Sequence, residues 1–375
     1  MSAQNRGLQR PILNAKVNFP VTLAPMVGLS HVAFRRLLRG YLPTGACTIW
    51  PTEMLNSRRI PGENLAKTPE TMRAPEETEL VPQILGNEER PIALSVARLE
   101  HEWGAAGVDI NMGCPVKKAL NHNYGVALMG DSGYAAEVVR MTVANTRLPV
   151  SVKLRAMSVF DAGSTTGSTS HSTSPSASAA DLSYLLKFVR GLEEAGASWI
   201  TLHPRTAEQK RRGSADWRQI RELREAISLP VIGNGDIQTA DDALAMLEST
   251  GCDMAMIGRA LTARPWLLWQ LGEELGFAAP PGREGERAPR SPLEEGREYG
   301  RALKTCLIYM REHFSDDLAL RKFRFLVRTG SPWLHFGQDL YARSTKAKTL
   351  DELACALEVF FAGEQPMAAR TELRQ

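Results

Sequence analysis

Short runs of consecutive apolar residues recur along the first 270 positions, each set between stretches with helical spacing. The runs are "VTLAP" from Val21, "CTIWPTEM" from Cys47, "LVPQIL" from Leu80, "VDINM" from Val108, "PVSVKLR" from Pro149, "WITLHPR" from Trp199, "PVIGNG" from Pro230 and "DMAMIG" from Asp253. Apolar residues that continue without alternation suit strands buried on both faces, which is how parallel sheets read in sequence. Segments between them, such as "PIALSVARLEHEWGAAG" and "SYLLKFVRGLEEAGA", have the spacing of amphipathic helices, and several end on glycine. Eight such β/α units in about 260 residues predict an α/β fold of the TIM (β/α)8 barrel type. A doubly wound sheet is the alternative, but no G-x-G-x-x-G follows the first run.

Two stretches interrupt the pattern. Residues 158–180 form a low-complexity insertion in which 12 of the first 21 positions are Ser or Thr. Such a composition buries too little apolar surface to order itself, so a disordered surface loop after the fifth strand is expected. Residues 279–293, "APPGREGERAPRSP" and its flank, read as a linker rich in proline, glycine and charge. Beyond it, residues 294–375 keep helical spacing and predict a small C-terminal helical domain, leaving residues 1–278 to the barrel.

Composition adds limits. The chain is 43% hydrophobic and 23% charged, as ordinary globular proteins are. No apolar run approaches the length of a membrane span, and "MSAQNRGLQR" lacks the apolar core of a signal peptide, so a cytoplasmic protein is expected; a monomer is expected as well. Five scattered cysteines without a C-x-x-C pair argue against a disulfide framework and against a metal site. A net charge of +3 permits a polyanionic partner without requiring one.

Chemistry in a TIM barrel sits at the C-terminal ends of its strands. Those positions here hold Pro25 and Met26, Glu53, Gln83, Asn111 with Cys114, Lys153 with Arg155, His203 with Arg205, Asn234 with Asp236, and Gly258 with Arg259. "GNGD" after the seventh strand and "IGR" after the eighth lie where barrels commonly cradle a phosphate. Lys153, inside a buried strand, reads either as half of a structural ion pair or as the partner of an anionic cofactor ring. Cys114 is framed by glycine and proline in "NMGCPVKK", a turn that a cysteine placed for packing does not need.

Taken together, "LAPMVGLSHVAFR", "INMGCPVKK", "SVKLR", "HPRT" with a later "DW", "VIGNGDI" and "AMIGRALTARPW" resemble the tRNA-dihydrouridine synthases, the FMN-dependent Dus family. The likeness spans about residues 20–270, and "LRKFRFLVR" resembles the family's helical RNA-binding domain more loosely. It implies a flavin barrel that reduces selected uridines in tRNA to 5,6-dihydrouridine, with NADPH as reductant. Reduced FMN would give hydride to carbon 6, and Cys114 would protonate carbon 5. Pro25, Met26 and Val27 would line the flavin. Gln83, Lys153 and His203 would hold its ring or ribityl chain, and Asn234, Gly235, Asp236, Gly258 and Arg259 its phosphate region. Asn111, Lys117 and Arg205 are substrate-side candidates, and Arg321, Lys322, Arg324 and Arg328 are candidate contacts to RNA phosphates. The chain differs from the family pattern at Pro204, at Ala156-Met157 and at Val126. Two other readings remain: a flavin barrel acting on a small molecule, akin to dihydroorotate dehydrogenases or ene-reductases, and an RNA-binding barrel without catalysis.

Overall fold

The computed structural model describes residues 8–13, 15–157, 179–209 and 212–372. Of the insertion expected at 158–180, residues 158–178 lie outside the described residues, and the helix after it begins at Ala179, within that range.

Eight parallel strands form a nearly closed barrel: β1 (Val21–Leu23), β2 (Trp50–Asn56), β3 (Leu80–Leu85), β4 (Val108–Met112), β5 (Val150–Arg155), β6 (Trp199–His203), β7 (Val231–Asn234) and β8 (Met254–Ile257). Each of the eight apolar runs supplies one strand. Helices α1 (Val32–Arg39), α2 (Glu89–His101), α3 (Lys117–Leu120), α4 (Ser132–Ala144), α5 (Ala179–Glu194), α6 (Arg218–Ala226), α7 (Ala240–Thr250), α8 (Ala260–Ala263) and α9 (Leu267–Glu274) lie between and after them. Local chemistry sets several helix ends. Thr239 caps α7 in a reciprocal arrangement with Asp242, and Gly251 ends that helix in the left-handed conformation.

Ladder pairing runs from β1 through β8, β7, β6, β5, β4 and β3 to β2, and stops there. The β1–β2 seam is stitched by side chains instead. Thr22 Oγ1 donates to the Ile49 carbonyl and Thr48 Oγ1 to the Val21 carbonyl, each at 2.6 Å. The lower barrel is filled by Val81, Trp199, Ile232 and Met254, with Ile12, Leu13 and Val17 of the N-terminal segment packed among them.

Four more helices follow among the described residues: α10 (Pro292–His313), α11 (Asp316–Gly330), α12 (Gly337–Lys346) and α13 (Leu350–Phe360). Ser291 and Glu294 cap α10 reciprocally, with Pro292 in its first turn, so this helix begins inside the stretch assigned to the linker. The connector is not a free spacer either. Its Arg283 pairs with Glu298, the Pro289 carbonyl accepts from Gln270, and Ala288 is buried. Arg264, just after α8, forms a buried ion pair at 2.8 Å with Glu295 of α10. Tyr299, Phe323 and Leu326 of the tail share one apolar core with Phe34, Leu261 and Trp266. Barrel and tail are thus fused through a common core.

Candidate active site

A cavity of about 200 Å3 opens at the C-terminal ends of β1 and β5–β8. Among the described residues its lining includes four cations, Lys153, Arg155, Arg205 and Arg259, against one carboxylate, Asp236. Asp236 is already engaged, accepting from Arg205 Nη2 at 2.5 Å and from the Ala215 N–H. The cavity is therefore strongly electropositive. Burial, and then Arg155, pull the Lys153 ammonium down from 10.5 to about 8, and the ammonium donates to Asn234 Oδ1 at 3.3 Å. Burial and the surrounding cations also hold His203 well below its ordinary value, so its imidazole is neutral there. Gly258 borders the same space. A Cβ at this position would meet protein atoms only at 3.6 Å or beyond, so the missing side chain leaves its volume to the cavity.

Beside the cavity, the turn after β4 presents Cys114, half-buried and close enough to influence the Lys153 charge. Three devices fix this turn. Asn111 Oδ1 accepts from the backbone N–H of Cys114 at 2.9 Å and of Gly113 at 3.2 Å. Gly125, at φ +61°, brings the following loop so close that a Cβ would lie 2.5 Å from the Cys114 carbonyl oxygen. Arg155 Nε donates to the Gly113 carbonyl at 2.8 Å. Below the turn a buried polar chain continues inward. Asn111 Nδ2 donates to Gln83 Oε1 at 2.7 Å, Gln83 Nε2 to Asp109 Oδ2 at 2.6 Å, and Ser151 Oγ to Asp109 Oδ1 at 2.7 Å. Burial raises the Asp109 pKa, while the bonds that its two oxygens accept from Gln83 and Ser151 oppose that shift and orient the Gln83 amide. That amide orients Asn111, which turns its oxygen toward the cysteine turn.

The model of the family described as "Dihydrouridine synthase (Dus)" matches residues 22–165 and 178–327 of this chain. The chain belongs to the dihydrouridine synthase family. A "Probable tRNA-dihydrouridine synthase" of Mycobacterium tuberculosis is 32% identical over 347 residues, covering 90% of this chain and 81% of the relative. The "tRNA-dihydrouridine synthase B" of Pseudomonas aeruginosa is 28% identical over 343 residues, covering 92% and 93% respectively. Among solved structures, 2-naphthoyl-CoA reductase in complex with 2-naphthoyl-CoA aligns with a TM-score of 0.50 at 12% identity, over 73% of this chain and 53% of that one. At that identity the likeness concerns the barrel fold alone.

With the dihydrouridine synthase frame in place, the residues singled out in the sequence separate into three groups. Pro25, Met26, Lys153, His203, Arg205, Asn234, Gly235, Asp236, Gly258 and Arg259 all border the cavity. Arg205, expected on the substrate side, lies instead at its wall, 5% exposed and held by Asp236 and the Gly213 carbonyl. Gln83 and Asn111 lie in the buried chain beneath Cys114, with both amide ends of Gln83 taken by protein partners. Val27 and Lys117 are exposed at the barrel mouth.

The four candidate phosphate-contacting cations on α11 have different surroundings. Arg321 and Arg328 are exposed, but Lys322 is buried and paired with Glu53 at 3.0 Å. Arg324 turns back to donate to the Ser344 and Ala347 carbonyls. Of the two phenylalanines interleaved with these cations, Phe323 is core and Phe325 is 40% exposed. Sequence reasoning missed Asp109 and Ser151, which the hydrogen-bond chain brings to the site. Period-two spacing signals both, since Asp109 precedes Asn111 and Ser151 precedes Lys153 by two.

Proposed function

We propose that this protein reduces uridines of tRNA to 5,6-dihydrouridine in the cytoplasm, with FMN in the electropositive cavity and NADPH as the reductant. The observation that carries this reading is the placement of a framed, half-buried thiol beside a cavity whose cations outnumber its carboxylates. A phosphorylated ring cofactor with an anionic reduced form fits that donor set. Lys153 and the neutral His203 would face its ring and ribityl portion, while Arg259 and the open space at Gly258 suit a phosphate.

Reduced FMN, when bound, supplies the hydride for carbon 6 of the uracil. The chain's own residues do the rest. Cys114 gives its proton to carbon 5, so that hydride and proton together saturate the double bond and a thiolate remains to be reprotonated from solvent. Asn111, held by Gln83, keeps the turn in register for that transfer. Lys153 offsets negative charge in the cavity. Exposed cations such as Arg321 and Arg328 would grip the phosphates of a folded RNA while a base is extruded into the mouth.

Cys114→Ala tests the assignment. It should retain FMN and RNA affinity yet lose on the order of 10²–10⁴ in dihydrouridine formation, the usual cost of removing a positioned proton donor. Full activity in this variant would return Cys114 to a packing role. A wild-type protein that takes up no added FMN would overturn the cofactor assignment.

A further inference from the structure

Three contacts from the helical tail converge on the top of the β1–β2 seam. Glu53, midway along β2 and 3% exposed, accepts from Lys322 Nζ with one oxygen and from the Gly28 backbone N–H with the other. Lys322 projects from α11, its ammonium 5.3 Å from the Phe314 ring centroid, and Phe314 packs edge-on against His31 just before α1. Phe325 of the same helix lays its ring where a Cβ on Gly28 would meet it at 3.0 Å. Gly28 itself sits at φ +80°, a conformation that side chains disfavour. It closes the loop after β1 in which Pro25 and Met26 line the cavity.

A buried ion pair is weak evidence for stability, since apolar residues of similar volume often serve as well. What an apolar pair does not supply is direction. With one oxygen fixed by Lys322, the other oxygen of Glu53 is aimed at Gly28, on the far side of the seam, where no ladder joins β1 to β2. We propose that Lys322 and Glu53 form a positioning pair through which α11 holds the Pro25–Gly28 loop against the cofactor cavity. The claim about the cofactor rests on the FMN reading above, while the claim about the loop stands without it.

Two readouts on the full-length chain test this. One is hydrogen exchange of the Gly28 amide in the cofactor-free protein, and the other is the FMN dissociation constant followed by flavin fluorescence. Lys322→Met should speed Gly28 exchange on the order of tenfold, as expected for loss of one oriented hydrogen bond, and weaken FMN binding by a similar factor. Lys322→Arg should restore most of both. Combining Lys322→Met with Glu53→Gln should do no more than either change alone, because both act through one contact. If Lys322→Met does not fold, the double variant, which leaves no lone buried charge, carries the test. Unchanged Gly28 exchange in the folded variants would overturn the positioning role. Altered exchange with unchanged FMN affinity would overturn the link to the cavity. Failure of the wild type to bind FMN would overturn the cofactor reading and leave the exchange result to decide the pair.

Discussion

Lys153 carries the clearest prediction at the scale of single residues. Its ammonium is held at about 8, against 10.5 in an unfolded chain, because burial and the neighbouring Arg155 penalise the charge. The sign follows directly. Below pH 8 the cavity keeps this cation, and above it the cation is lost, so affinity for an anionic ligand such as FMN should fall as pH rises through that value. Lys153→Gln should bind more weakly and lose this pH dependence, which titrations on either side of pH 8 would reveal. For the ligand-free protein the linkage runs the other way. Between pH 8 and 10.5 the unfolded chain holds a proton that the native one has released, so native stability should climb across that window. Gly125 carries a second prediction. Gly125→Ala would force a Cβ against the Cys114 carbonyl at a positive φ, so dihydrouridine formation should drop at least tenfold, with a strain of roughly 1–3 kcal/mol that a melting curve would register. The sequence marked Cys114 by its glycine and proline frame. It could not mark Gly125 as the residue that locks the cysteine turn, because that depends on a close approach between two loops.

At the scale of elements, all eight strands were legible, since a short apolar run bounded by turn residues is too brief for a helix and too apolar for a loop. The seam was not. Strand spacing says nothing of which neighbours share a ladder, and the closure of β1 on β2 depends on two threonine hydroxyls. Thr22→Val and Thr48→Val conserve shape and remove one hydrogen bond each, so each should cost about 1 kcal/mol in denaturant unfolding. Helix α11 shows the opposite limit. The sequence offers all four of its cations as phosphate contacts, yet Lys322 faces inward to Glu53, which lies 269 residues earlier in the chain. Helical spacing supplies the stripe, and only tertiary structure supplies the counter-charge that lets a lysine join it.

At the scale of the whole molecule, a cationic cavity, a half-buried thiol and exposed arginines on the tail are assembled on one fused core. Neutralising Arg321 and Arg328 together, as Arg321→Gln with Arg328→Gln, should weaken RNA binding and reduce the slope of its logarithmic salt dependence by about 2, with FMN affinity unaltered. An unchanged slope would place the RNA grip on another face. The buried Arg264–Glu295 pair and the shared apolar core join the barrel to its helical tail. That fusion bears on the seam in a mechanical sense. A shell with one unsealed edge resists gaping only if something spans the edge, and α11 reaches both lips, through Glu53 on β2 and Gly28 after β1. The tail is therefore the hoop of the barrel. A fragment ending before residue 279 would leave this edge to the two threonine hydroxyls alone and expose the very loop that borders the cavity.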